Sequence, residues 1–211
     1  MNEYHKIETL FERDMEGTKK LIEGKFRNPA VEFIKDNKWA FTEKIDGTNI
    51  RVYWDGHKVM FGGRTDAAQI PTDLMYALND LFLGITNEQL FEQKFGATPV
   101  MLYGEGYGEG IQKGGGLYRK GKGFILFDVQ VDGLWLEREN VEDIAKAFNL
   151  KVVPIVLTGT IQEAVDYVKS NPKCTIAEQE REAEGLVGRP LVEMKDRRGN
   201  RVIVKVKSCD F

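Results

Sequence analysis

The sequence predicts an α+β fold of antiparallel sheets with flanking helices. Three observations carry that prediction. Several runs alternate apolar and polar residues with the period of half-buried strands, other runs repeat apolar residues at helical spacing, and turn residues punctuate both. In chain order, Trp39 and Phe41 form the first alternating run and Ile50, Val52 and Trp54 the second. Between them Lys44-Ile45-Asp46-Gly47 reads as a strand–turn–strand corner. Asp55-Gly56 is a hairpin signal leading to Val59 and Phe61. Leu74, Leu78 and Leu81 share a helix face, and Val100 to Leu102 and Phe124 to Val129 read as strands. Val141, Ile144 and Phe148 mark a second helix, and Val152 to Val156 another strand. Ile161, Ala164, Val165 and Val168 mark a third helix, with Thr160 and Glu163 in a capping-box pattern. Val202 to Val206 forms the closing strand.

The chain has 211 residues, 42% hydrophobic and 30% charged, the balance of an ordinary soluble globular protein. With no repeat, linker or low-complexity tail, one domain over 1–211 is expected. No run of about 18 apolar residues exists, so no membrane-spanning helix and no membrane partner are expected. The start, MNEYHKIETLFERD, is charged and unlike a signal peptide. Cys174 and Cys209 are too few for a disulfide framework or a zinc site. A cytoplasmic location follows as an expectation. Net charge is −3 and the pI about 5.6. That argues against a basic nucleic-acid coat but leaves room for a local basic groove.

Residues 104–123 are glycine-rich, which suits a flexible loop or a backbone that approaches a ligand closely. Within them, Gly116 to Gly123 (GLYRKGKG) nearly matches a P-loop. The final Ser/Thr is replaced by Gly123, and the strand-like FILFDV follows instead of a helix. GEGYGEG does not supply a dinucleotide fingerprint.

Taken alone, the corner at Lys44 is a surface lysine beside a turn. Lys205 and Lys207, two apart on a strand, share one face, and Val202, Val204 and Val206 take the other. Such a pair suits an anionic phosphate and would disfavour a proton on a third lysine nearby. A lysine nucleophile needs that help, because a free lysine amine has a pKa of about 10.4. The bland alternative is an amphipathic edge strand with solvated lysines. His5, His57, Trp54 and Trp135 read as structural. Lys195, Arg197, Arg198 and Arg201 lie in an expected hairpin turn; contact with phosphates of a nucleic acid and simple solvation of the turn both fit them.

The order of the remaining motifs decides the reading. KIDGTN with Lys44 is followed by FGGRTD with Arg64, LYGEGYGEGIQKGGG with Glu105, GFILFDV with Phe127, EGLVGRP with Glu184 and Arg189, and VIVKVKSCDF with Lys205 and Lys207. From about Tyr4 to Phe211 this series resembles the covalent nucleotidyltransferases. Within them it is most similar to ATP-dependent RNA ligases of the phage nick-sealing and RNA-editing type. The resemblance implies an adenylyltransferase domain and makes Lys44 the nucleophile that takes AMP from ATP. It puts Lys205 and Lys207 on the α-phosphate, Glu105 on the ribose and Phe127 against adenine. Glu184 would hold Mg²⁺ or Mn²⁺, directly or through water, and Arg189 would touch the triphosphate. Glu43 and Arg64 are further nucleotide-binding candidates, and Asn49 and Arg64 serve the later steps on RNA.

The implied reaction joins an RNA 3′-hydroxyl to a 5′-phosphate, at RNA ends or nicks, through lysyl-AMP and an adenylylated RNA 5′ end. A DNA ligase, a GTP-using capping enzyme and an inactive ligase-fold binding module are the alternatives; the last has no need of the nucleophile. No OB-fold or accessory domain is evident after Lys207; a minimal ligase, a shortened chain, and a separate protein or domain that supplies RNA-binding surface all fit.

Overall fold

The computed structural model describes residues 2–211. Along the chain the strands are β1 (Glu8–Thr9), β2 (Phe11–Arg13), β3 (Leu21–Phe26), β4 (Trp39–Glu43), β5 (Thr48–Trp54), β6 (Val59–Gly62), β7 (Val100–Gly108), β8 (Lys122–Val131), β9 (Leu134–Trp135), β10 (Lys151–Val152), β11 (Ile155–Gly159), β12 (Gly185–Pro190) and β13 (Val204–Lys207). The helices are α1 (Pro29–Phe33), α2 (Thr72–Phe82), α3 (Ile85–Phe95), α4 (Gly115–Tyr118), α5 (Arg138–Ala147) and α6 (Ile161–Lys169). This is the α+β fold expected, with antiparallel pairing in all but two strand pairs, β1 with β13 and β10 with β8. The chain divides into two compact units. Unit one holds the N-terminal residues through Tyr4, Asp46–Val153 and Ala177–Gln179; unit two holds His5–Ile45, Pro154–Ile176 and Glu180–Phe211.

Unit two is built on a sheet of order β1-β13-β12-β4-β11. Trp39 and Phe41 of β4, Leu186 of β12, and Val204 and Val206 of β13 pack with Ile161, Ala164, Val165 and Val168 of α6. Strand alternation puts every second residue on the opposite face: Ala40 and Thr42, Val187 and Arg189, Lys205 and Lys207. α6 opens with the expected capping box, in which Thr160 Oγ1 accepts from Glu163 N at 3.3 Å and Glu163 Oε2 from Thr160 N at 2.7 Å. The hairpin β2–β3 closes on an edge-on Phe11–Phe26 contact.

Unit one is built on a sheet of order β10-β8-β7-β5-β6, with β9 against β8. Ile50, Val52, Trp54, Val100, Leu102, Phe124, Leu126 and Val129 form its buried face, beneath Leu74, Leu78 and Phe82 of α2, Phe91 of α3, and Val141 and Ile144 of α5. Here two glycines of the 104–123 run find a role other than loop flexibility. A Cβ on Gly104 would lie 2.2 Å from the Phe124 ring, and one on Gly106 2.5 Å from a Leu74 methyl. They let β7 accept α2 and a phenylalanine at close range. The near-P-loop leads into β8, with only the one-turn α4 before it.

The expected strand Val152–Val156 divides at the unit boundary. β10 joins β8 in unit one, and β11 joins β4 in unit two. Pro154 lies between them and has no N–H to continue a ladder. Among the described residues no helix is long and apolar enough to cross a membrane.

Candidate active site

In unit two Lys44 directly follows β4, where its backbone N–H donates to Gly185 O at 2.9 Å and extends the pairing of β4 with β12. Lys44 Nζ donates to Glu184 Oε2 at 2.7 Å, and the other oxygen of that carboxylate lies 3.0 Å from Lys207 Nζ. One carboxylate thus bridges two ammonium groups, all three side chains largely shielded, at 15% exposure for Glu184, 24% for Lys44 and 30% for Lys207. Ser208 holds this carboxylate's segment in place: its N–H donates to Glu184 O and its Oγ to Ala183 O. Burial works against the charge of Lys207. The hydrogen bond and attraction of Glu184, with the nearby Cys209 and Asp210, outweigh it and raise the pKa above the ordinary lysine value. Lys205 and Arg189, both half-buried, lie on the same sheet face as Lys207. This face therefore carries four cations, two of them paired with one carboxylate.

Glu43 stands apart from that cluster. Its side chain takes the opposite face of β4, only 2% exposed, and its Oε2 accepts from Thr175 N at 2.9 Å and Thr175 Oγ1 at 2.5 Å. Its Oε1 is shielded and accepts no hydrogen bond from the described residues. Thr175 had no sequence signal, being 132 residues from its partner.

The motif Lys44-Ile45-Asp46-Gly47 straddles the two units, with Asp46 and Gly47 in unit one. A Cβ on Gly47 would sit 2.3 Å from Gly106 O and 2.7 Å from Glu105 Cγ, so only glycine lets this turn lie against the Gly-Glu strand. Asp46 N donates to Tyr118 Oη at 3.0 Å, and Gln112 Nε2 donates to Gly47 O at 3.0 Å. The run GIQKGGGLY therefore braces this turn. Composition drew attention to its glycines, whereas the work falls to Gln112 and the buried Tyr118.

Asn49 and Glu105 lie directly opposite each other on β5 and β7. Asn49 Oδ1 is shielded and accepts no hydrogen bond from the described residues. Phe127 is the extra residue of a β-bulge: Tyr103 pairs with Asp128 and Gly104 with Leu126, leaving Phe127 unopposed. It is half-buried, and Tyr4 meets it near-perpendicularly at 5.0 Å while donating from its hydroxyl to Asp128 Oδ2 at 2.9 Å. Burial pushes the Tyr103 phenol up to about 12; the Arg51 cation opposes that rise and the Asp128 carboxylate adds to it. Arg64 is exposed in the loop after β6.

The cluster at 195–201 forms the expected hairpin turn, with Lys195 bridged to Arg201 and Asp196 Oδ1 accepting from Arg198 N and Asn200 N. Arg201 is buried and paired through two nitrogens with Glu193, which occupies its charge. Among the described residues no three His, Cys, Asp or Glu side chains are grouped to cage a metal ion. Glu184 fits a cation that brings most of its other oxygen ligands with it, as Mg²⁺ does on phosphates.

A family model described as RNA ligase matches residues 37–207. Solved structures give the same fold. A Naegleria gruberi RNA ligase mutant with ATP and Mn aligns with TM-score 0.64 and 21% identity, over 86% of this chain and 52% of that one. The Naegleria gruberi RNA ligase with PPi aligns with TM-score 0.61 and 24% identity, over 86% and 52%. A further mutant with AMP and Mn gives TM-score 0.62 and 22% identity over the same shares. The chain spans about half the length of these structures. A search of curated proteins found no match. With the model covering most of its length, the chain belongs to the RNA ligase family.

Proposed function

We propose that this protein is an ATP-dependent RNA ligase that works through lysyl-AMP. The observation that carries the reading is the Lys44–Glu184–Lys207 cluster, set on a sheet face with Lys205 and Arg189. A triphosphate carries several negative charges, and this face offers cations held in place before it arrives.

In the first step the Lys44 amine, having given its proton to solvent, bonds to the α-phosphorus of ATP. The bond to the β-phosphate oxygen breaks, and pyrophosphate leaves. Lys205 and Lys207 offset the charge on the α-phosphoryl oxygens, and Arg189 that on the leaving group. A bound Mg²⁺ or Mn²⁺ would supply further positive charge on the phosphates, with Glu184 as its protein ligand. Glu105 is assigned the ribose and Phe127 the adenine; the bulge at Phe127 turns an aromatic out of the strand's regular alternation. In the second step an RNA 5′-phosphate oxygen takes the AMP, and the phosphorus–nitrogen bond of Lys44 breaks. In the third an RNA 3′-hydroxyl attacks the activated 5′-phosphorus and AMP leaves. Asn49 and Arg64 are assigned to these later steps.

The test is to trap acid-labile label on the protein from α-labelled ATP with Mg²⁺, then chase it with nicked or single-stranded RNA and with nicked DNA. Label that chases into joined RNA supports the reading. Label from GTP in place of ATP, or chase into DNA alone, replaces it with the capping or DNA-ligase alternative.

A further inference from the structure

Among the described residues, Arg51 is the one fully buried cation to which the reaction above gives no task. It lies on β5 two residues beyond Asn49, at 0% exposure. Its Nε donates to Gly63 O at 2.7 Å and its Nη2 to Asp66 Oδ1 at 2.8 Å. These two contacts fall on either side of Arg64. The carboxylate that receives Arg51 is 66% exposed, at the tip of the loop, not in the core. Burying a guanidinium carries a large desolvation penalty, and an apolar side chain commonly serves stability as well or better. What this arginine gains is a loop fixed at two points from beneath. Within the loop, Ala68 N donates to Thr65 O in a turn.

We propose that Arg51, with Asp66, is a positioning pair for Arg64. The guanidinium fork holds Gly63 and Asp66 in place and so sets the direction in which Arg64 leaves the loop. This also accounts for the motif FGGRTD as a unit. Gly63 supplies the carbonyl and packs where a Cβ would come within 2.9 Å of Ala68 Cβ, Asp66 supplies the counter-charge, and Arg64 is the residue displayed. The proposal rests on the RNA ligase reading, in which Arg64 serves the steps after lysyl-AMP forms.

The experiment is a double-mutant cycle on Asp66 and Arg64, read in two assays. One follows lysyl-AMP formation from α-labelled ATP. The other follows sealing of an RNA already adenylylated at its 5′ end. Asp66→Ala is expected to leave lysyl-AMP formation unchanged and to slow sealing about tenfold. In an Arg64→Ala background the same substitution is expected to cost nothing more, and Asp66→Glu is expected to recover part of the rate. Hydrogen exchange in Asp66→Ala should quicken at residues 63–68 and nowhere else. Equal losses with and without Arg64, or no loss at all, would overturn the positioning role. A wild-type enzyme that forms no lysyl-AMP and seals nothing would instead overturn the ligase reading, and the proposal with it.

Discussion

The two units present chemically different sheet faces. The face of unit two carries Lys44, Arg189, Lys205 and Lys207, with Glu184 bridging two of these cations. Unit one carries Asn49 opposite Glu105, the bulged Phe127, and a fully buried Arg51 two residues along β5 from Asn49. In unit two positive charge is concentrated, and one carboxylate pairs two of the four cations. In unit one a cation is spent on holding a loop, and the candidate contacts are an amide, a carboxylate and a ring. The first arrangement suits phosphate, where field strength matters. The second suits a nucleoside, where shape and hydrogen-bond direction matter. The difference yields separable kinetic signatures.

The largest effect is expected in unit two. Glu184→Gln keeps the shape of the side chain but removes the charge that joins Lys44 and Lys207. Lysyl-AMP formation should fall by roughly 10²- to 10³-fold, as for loss of one transition-state charge partner. Rapid-quench labelling at saturating ATP measures it, and a rate near wild type would remove Glu184 from the cluster's chemistry. In unit one Phe127→Ala should act differently. Loss of a stacking surface is worth about 1–3 kcal/mol per base, so the KM for ATP should rise about tenfold or more with little change in kcat. A kcat effect of the same size would show that Phe127 shapes the sheet and does not bind the base.

Smaller effects concern stability. Thr160→Ala removes the cap of α6 and should cost about 1 kcal/mol in urea unfolding. Both activities should survive it, because the capping box touches none of the candidate site. The smallest effect is on pH. The pKa of Lys207 is raised in the folded protein, so its pairing contributes fully below the ordinary lysine value of 10.5 and is lost as pH rises beyond the raised value. Lys207→Met should flatten that part of the alkaline stability profile. An unchanged slope would mean that Glu184 holds Lys207 no better than water does.

Much of the fold was legible because period and burial agree. The strands at Trp39, Ile50 and Phe124 and the helices at Leu74 and Ile161 each put a regular apolar face into a core. α3 was not legible, since Phe91 alone of its residues is buried and little apolar rhythm remains to be read. The run from Val152 to Val156 misled for the opposite reason. Its composition is uniform, yet Pro154 breaks it into strands of two different sheets. In the site, motif order singled out Lys44, Glu184 and Lys207 across most of the chain. The groups that hold such residues were hidden. Tyr118 reaches Asp46 across 72 positions and Thr175 reaches Glu43 across 132, and only the folded chain makes them neighbours. Nothing in the sequence around Arg51 signals that its guanidinium is fully buried.

The central claim is that Lys44 is the residue that takes AMP. The most direct test incubates the wild-type protein and Lys44→Ala with α-labelled ATP and Mg²⁺, then maps the labelled peptide by mass spectrometry. The account predicts one AMP on the peptide containing Lys44, and no label on a Lys44→Ala protein whose circular dichroism and melting match wild type. Full labelling of that variant, or AMP mapped to a different lysine, would contradict it.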